Sequence, residues 1–520
     1  MNAFPGRSSV AVFALIFTTI FLLHVPLLRL PYFWDEAGYY IPAARDLLLA
    51  GRLIPQSMPS NAHPPLVMAC LALGWKVAGF SPLVTRAAML ALAAFALLGV
   101  FRLAARIANV EVAVAATLCT ALYPVFFAQS AMAHVDLAAA GLTFWGLESY
   151  FGGRSPRAAL WFSLTVLAKE TAILTPIALL LWETICSRIR HLWNRELCLR
   201  PPSANRAASL LAPAIVLGLW YAYHHARTGY IFGNPEFFRY NVRATMSPLR
   251  VLLALGMRVW QIFGYMHLWV LSLLMTCAMT RPPRPDGDTE RPRIAVPVQL
   301  ALGVVIVAYV SALSVVGGAV LARYMLTAVP LVIIAAVSTL WRRIQHWPAL
   351  VAIVCASFVA GWYWNPPYGF SLEDNLAYRD YIEMHQDAAR FLEQHYPAGR
   401  VLTAWPASDE ISRPYLGYVA RPLRVVRIED FTAEKIADTT KERSRFDLAL
   451  VFSTKYEVEH RVLANWPWWE GVTTRLFGFH RDLSPQMIAR QLGGHVVMRE
   501  ARPGQWIALI ELERVEQAHR

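Results

Sequence analysis

The sequence predicts a polytopic, mainly α-helical membrane protein that ends in a soluble α/β domain, and three observations carry that reading. Hydrophobic residues fill 56% of the 520 positions and charged residues only 16%, with a mean hydropathy of +0.39, a balance too apolar for an ordinary soluble protein. Apolar runs of about 20 residues, the length that crosses a bilayer as a helix, recur up to Trp364 with short Arg-rich loops between them. Beyond Trp364 the chain is more polar, and residues 365–520 contain short alternating runs of the strand type. The net charge of +13 is dispersed over the loops instead of forming one basic face, which is the pattern of positive-inside orientation and not of a nucleic-acid surface. The six cysteines lie in or beside the apolar runs without metal-ligand spacing, so neither a zinc site nor a disulfide framework is implied.

Arg7 precedes the first apolar run, Val10 to Leu30, which lacks a small-residue cleavage site and reads as a retained span. Further helices are expected near 82–101, 110–131, 136–152, 207–225, 256–280, 295–316, 323–340 and 347–364. Arg102 and Arg106, Arg154 and Arg157, the Arg188-to-Arg206 cluster, Arg281 to Arg293, and Arg342 with Arg343 then belong on the cytoplasmic side. A single span over 158–187 would carry the Arg188-to-Arg206 cluster outside. Two short segments that meet at Lys169-Glu170, with Pro176 as a local irregularity, restore the alternation and bring the count to about eleven.

With the N-terminus inside, residues 1–364 form the membrane domain of a multi-pass inner (plasma) membrane protein, while its first loop, 31–81, and the domain 365–520 fall outside. In that loop Tyr39 to Ala50 reads as an amphipathic helix ended by Gly51, and Leu66 to Phe80 as a short apolar helix; both suit the lipid interface better than a crossing. In the outer domain Arg400 to Trp405, Arg424 to Ile428 and Phe446 to Phe452 read as strands, and Tyr378 to Glu393 as a helix.

The candidate chemistry lies in the outer loops. Asp35 and Glu36, within Pro31-Tyr-Phe-Trp-Asp-Glu-Ala-Gly-Tyr-Tyr40, stand where the first span meets water, and paired acids at a membrane boundary are costly unless they handle a cation, a proton or a hydroxyl. His63 before two prolines, Asp136 in Ala133-His-Val-Asp136, Lys169-Glu170 and Arg323-Tyr324 fall at other outer turns. Acids beside cations at an outer interface suit a reaction between a phosphate-bearing lipid and a hydroxyl or amine: the acid takes the nucleophile's proton and the cations hold the departing phosphate. Each residue also has a plainer role open to it. Glu36 could orient the following helix, Asp136 could cap the helix at Leu137, Lys169 and Arg86 could anchor at headgroups, and His63 could be a hydrogen-bonding group.

Trp34-Asp-Glu-Ala-Gly-Tyr-Tyr, Ala44-Arg-Asp-Leu-Leu-Leu-Ala-Gly51, Ala62-His-Pro-Pro-Leu66, a small-residue region through Arg86, Asp136 and Leu167-Ala-Lys-Glu170 follow one another over residues 10–340 in an order and spacing that resembles the integral-membrane glycosyltransferases of the GT-C superfamily, the protein O-mannosyltransferase and lipid A aminoarabinose transferase group. The resemblance implies a GT-C-type helical fold and an inverting transfer of a hexose or pentose from a polyprenyl-phosphate donor to an acceptor, a lipid, glycan or protein, on the non-cytoplasmic face. It implies Asp35 as catalytic base; together with the reading of the outer turns, Glu36 and Asp136 are then expected as the other acids of the site, and His63, Arg86, Lys169, Glu170, Arg323 and Tyr324 on the substrate. Where the aminoarabinose transferases have Glu-Lys before the two prolines, this chain has Ala62-His63. A metal ligand is thereby missing, so no resident cofactor is implied, and a divalent metal only if other side chains supply its ligands. The alternative expectation is a non-catalytic lipid-sugar carrier or flippase that binds the same headgroup.

Overall fold

The computed structural model describes residues 6–189, 203–458 and 466–513; most of the Arg188-to-Arg206 cluster and Cys198 lie outside the described residues. The chain divides into two units, Met1–Pro26 with Ala43–Trp364, and Leu27–Pro42 with Asn365–Arg520. The stretch 27–42, assigned from the sequence to the membrane domain, therefore belongs with the C-terminal domain, because its aromatic side chains pack into that core.

The first unit is helical: α1 (Gly6–Leu23), α2 (Ile41–Ala50), α3 (Leu66–Ala78), α4 (Pro82–Ile107), α5 (Val110–Leu122), α6 (Pro124–Gln129), α7 (Val135–Phe151), α8 (Ser155–Ala168), α9 (Leu174–Ile189), α10 (Ala204–Thr228), α11 (Pro235–Asn241), α12 (Pro248–Phe263), α13 (Leu268–Met279), α14 (Val296–Val315), α15 (Ala328–Arg343) and α16 (Trp347–Tyr363). A hairpin of β1 (Pro285–Asp286) and β2 (Thr289–Glu290) separates α13 from α14. Local chemistry sets many of the ends. The Ser81 hydroxyl accepts from the Val84 amide and Pro82 opens α4; the Asn109 side-chain oxygen Oδ1 accepts from the Val112 amide at the start of α5; left-handed Gly229 closes α10. Two expected spans are interrupted. Pro124 splits 110–131 into α5 and α6, since the ring cannot continue the ladder of hydrogen bonds. The run 256–280 breaks at Gly264–His267, where Met266 and His267 have positive φ of 45° and 68°.

Contacts at two opposite poles show how the helices run. At one pole Glu148, near the end of α7, accepts from Arg106 at 2.6 Å and Arg154 at 2.5 Å, while Arg102 donates to Ser9 of α1 at 2.6 Å. Glu183 of α9 meets Tyr150 at 2.6 Å and Arg206 of α10 at 3.3 Å. Trp341, ending α15, donates to Glu111 of α5 and carries Arg291 over its ring. At the other pole His24, just past α1, reaches the Phe127 carbonyl at 3.0 Å, and Trp362 of α16 donates to Leu122 O at 2.8 Å. Tyr309 late in α14 meets Thr175 early in α9. Traced between these poles, α1, α4, α5, α7, α8, α9, α10, α12 with α13, α14, α15 and α16 alternate in direction, which makes eleven passages among the described residues. Five stretches are long and apolar enough on their own to cross a membrane, including Pro82–Ile107 and Val296–Val315.

The reversal at Lys169 is part of that pattern. Val166, late in α8, packs on Leu217 and Trp220 of α10, whereas Glu183 lies at the opposite end of α10 beside Arg206. Apolar side chains such as Ile215 (65% exposed) and Val307 (63%) project from the bundle, as hydrocarbon surroundings require. Inside it, small residues admit close approach: a Cβ on Gly141 of α7 would stand 2.5 Å from that of Ala96 on α4.

The second unit holds a five-stranded sheet built from β3 (Arg400–Ala404), β4 (Arg424–Ile428), β5 (Leu448–Phe452), β6 (Gly494–Arg502) and β7 (Gln505–Leu512), in the order β4-β3-β5-β7-β6. β3 pairs parallel with β4 and β5; β7 pairs antiparallel with β5 and β6. The central strand β5, Leu-Ala-Leu-Val-Phe, is buried throughout, and its unbroken apolar run reflects cover on both faces. Helix α17 (Ala377–His395) buries Tyr381, Ile382, His385, Ala389 and Leu392, an apolar stripe at helical spacing, while the shorter α18 (Ala407–Ser412), α19 (Ala433–Thr440), α20 (Pro467–Phe477) and α21 (Pro485–Leu492) complete the unit. The β6–β7 hairpin, absent from the strands expected from sequence, turns at Pro503-Gly504, where Gly504 takes a φ of 70°.

Candidate active site

The first unit brings four of the expected residues together at the pole away from the Glu148 cluster. Asp136 lies in the first turn of α7, Lys169 in the extended break between α8 and α9, and Arg323-Tyr324 in the turn before α15. Lys169 Nζ donates to Asp136 Oδ1, and Arg323 Nε stands 3.4 Å from Asp136 Oδ2. The Lys169 ammonium also sits 4.0 Å from the centre of the Tyr324 ring. Asp136, Lys169 and Arg323 are all buried. Buried charges of this kind persist only when paired and hydrogen-bonded, so the break at Lys169 exists at the point where its side chain reaches the acid. Lys169 is therefore an enclosed group and not an exposed anchor.

Two further residues, Arg258 and His134, lie outside the expected set and complete the cluster. Arg258 of α12 is fully buried; it donates to Leu321 O at 2.7 Å and Gln261 at 2.8 Å, and its guanidinium lies 5.5 Å from the Tyr324 ring centre. His134 hydrogen-bonds Gln129 through Nδ1 at 2.7 Å, and its Nε2 lies 3.4 Å from Arg323 Nη1. The signal for Arg258 was a lone Arg inside an apolar run, and that for His134 its place two residues before Asp136. Arg86 is 1% exposed and donates to Ala131 O at 2.9 Å, in the turn that leads to His134; it is a core residue of this pole and not a headgroup anchor. His63 pairs with Glu170 at 3.0 Å, beside Ala62, whose positive φ of 59° is fixed by Trp220 donating to its carbonyl at 2.8 Å. Among the described residues no three His, Cys, Asp or Glu side chains group as a metal site.

Asp35 and Glu36 lie in the second unit. Glu36 is fully buried, and its carboxylate accepts from the Phe33 amide at 2.9 Å, closing the turn on which both acids sit. Asp35 is half-buried at the head of the π-helical turn Glu36–Tyr40. The turn is packed among aromatics of its own unit: Phe33 meets Tyr381 edge-on at 5.3 Å, and Trp34 meets Trp405 at 5.3 Å.

Solved structures of similar fold include ArnT from Cupriavidus metallidurans bound to undecaprenyl phosphate, 14% identical, with a TM-score of 0.55 over 97% of this chain and 98% of that one. The apo state of the same protein aligns at 15% identity and a TM-score of 0.54. The chain has the GT-C fold. The apo oligosaccharyltransferase of Archaeoglobus fulgidus is also similar, at 11% identity and a TM-score of 0.50 over 95% of this chain and 74% of that one. No family model and no curated protein matches the sequence. The expected GT-C architecture, membrane helices followed by an α/β domain, is thus the architecture of this chain.

Proposed function

We propose that this GT-C protein is an inverting glycosyltransferase that moves a sugar from a polyprenyl-phosphate donor to an acceptor on the non-cytoplasmic face. The observation that carries the proposal is the buried cluster of Lys169, Arg258 and Arg323 about Asp136 and Tyr324. Cations held this rigidly in a low-dielectric setting are suited to a phosphate, Arg through its planar fork and Lys as a point charge, and Asp136 fixes their direction. The neighbouring ArnT structure contains undecaprenyl phosphate, which supports the donor class.

In the proposed reaction Asp35 accepts the proton of an acceptor hydroxyl as its oxygen attacks the anomeric carbon from the face opposite the phosphate. The carbon–oxygen bond to phosphate breaks, and polyprenyl phosphate leaves with its charge balanced by the cations. Glu36 holds the Asp35 turn through the Phe33 amide, and His63 with Glu170 shapes the loop beside Ala62. A carrier needs a site reachable from both faces near the midplane, whereas Asp136, Lys169 and Arg323 gather at one pole. The test is purified protein in nanodiscs given radiolabelled polyprenyl-phosphate sugars from the parent strain, with deletion-strain membranes as acceptor. Formation of a labelled glycoside supports the enzyme. Movement of label across the bilayer of sealed proteoliposomes, with no new glycoside in either preparation, would establish the carrier.

A further inference from the structure

The turn that bears Asp35 is held in a conformation its own residues would not choose. Trp34 has a φ of 41°, a left-handed value that a bulky residue adopts only when its surroundings over-determine it. Those surroundings come from the C-terminal part of the same unit. Trp405 closes on the turn so tightly that a Cβ on Gly38 would stand 2.6 Å from its Cζ2, and its ring meets Trp34 at 78°. Tyr381 of α17 packs on Trp34 at 5.6 Å and stacks on His385 at 3.8 Å. His385 in turn bonds Glu410 at 2.6 Å, a fully buried pair that fastens α18 to α17. Since α18 begins two residues after Trp405, this pair also fixes the indole. On the other flank Tyr418 donates to Tyr32 O at 3.1 Å, and Gly417 lies against Pro31.

We propose that Trp405, set in place by the His385–Glu410 pair, is a positioning residue for Asp35: the outer domain is the mould that holds the base in line. The proposal rests on the reading of Asp35 as base and deepens it. It also gives Gly38 a stated reason, since no side chain fits between the turn and the indole.

The test is a double-mutant cycle on the full-length protein in nanodiscs, with the same labelled donor and deletion-strain membranes. Trp405→Ala and Gly38→Ala are each expected to lower kcat by about 10- to 100-fold, the scale of a small misplacement of a reacting group, with KM for the donor within about twofold. Gly38→Ala/Trp405→Phe is expected to exceed Gly38→Ala, because the smaller ring makes room. In an Asp35→Asn background Trp405→Ala should add nothing. An equal loss from Trp405→Ala in both backgrounds, or wild-type kcat in both single variants, overturns the proposal. Asp35→Asn at wild-type rate instead removes the base assignment on which it stands. If Trp405→Ala does not fold, Trp405→Phe and Gly38→Ala carry the test, with backbone amide protection over 400–404 as the control for an intact sheet.

Discussion

At the scale of residues, the proposed reaction divides its chemistry between Asp35 and Lys169. A hydroxyl is a weak nucleophile until its proton is removed, and Asn keeps the shape of Asp without that capacity. Asp35→Asn is therefore expected to retain donor binding while turnover falls by about 10²- to 10⁴-fold, measured as glycoside formation beside a donor-binding assay on one preparation. In that proposal Lys169 has two roles, because the side chain that would meet the phosphate also pairs with Asp136. Lys169→Ala should weaken donor binding by about 1.5–3 kcal/mol and also destabilise the bundle by about 3–5 kcal/mol, since Asp136 stays buried with one partner fewer. Asp136→Asn/Lys169→Ala should recover part of the stability and none of the binding; unchanged thermal unfolding in Lys169→Ala would show that the acid is not held by it. The meeting of Asp136, Lys169 and Arg323 at one pole was legible in the sequence because charges at the ends of apolar runs need a reason to be there. Arg258 and His134 were not, since an Arg midway along α12 and a His two residues before Asp136 look like a tolerated polar residue and a cap neighbour until the fold brings Tyr324 and Arg323 to them.

At the scale of elements, the pole-to-pole alternation was legible because Arg clusters cannot rest in hydrocarbon, and the same parity demanded the reversal at Lys169. The breaks at Pro124 and at Gly264–His267 were harder, because an apolar run does not announce a change of backbone direction. The β6–β7 hairpin went unread for a similar reason: β7 is buried on both faces and so lacks the alternation that marks a half-buried strand. One segment of the second unit should respond to pH. Asp482 accepts from Thr454 at 2.6 Å and faces His480 Nε2 at 3.4 Å, while Lys455 donates to His480 O and covers the Phe479 ring. The hydrogen bond to Asp482 holds His480 above its ordinary value, with burial and Lys455 opposing. Burial pushes Asp482 up, but the bonds from His480 and Thr454 outweigh it and leave the carboxyl below its ordinary value. His480 thus contributes stability in full below 6.5 and loses it as pH rises through its raised value, and Asp482 contributes above 3.8 and loses it as pH falls through its lowered one. Amides 479–484 should accordingly be better protected at about pH 5.5 than at about pH 8.5 after correction for intrinsic exchange, and Asp482→Asn should remove the difference. Equal protection in wild type at both values would show that the pair does not fasten the segment.

At the scale of the whole molecule, the proposed orientation is testable without any substrate. A reporter active only outside should be active when fused after Trp364 and silent within the β1–β2 hairpin at Gly287, where the Arg281-to-Arg293 cluster lies; the reverse would move every proposed site residue to the cytoplasm. That the second unit is assembled from two distant pieces of chain, Leu27–Pro42 and Asn365–Arg520, could not be read from the sequence, because no local pattern links Trp34 to Trp405. It has a consequence for biogenesis. The Asp35 turn is made well before its wall: at about 5–20 residues per second, Trp405 follows Pro42 by roughly 20–70 s. Throughout that interval the helices between the two pieces can insert while the acid-bearing turn lacks the aromatic wall it packs against, so a chain halted before Trp405 carries Asp35 without the side chain proposed to position it.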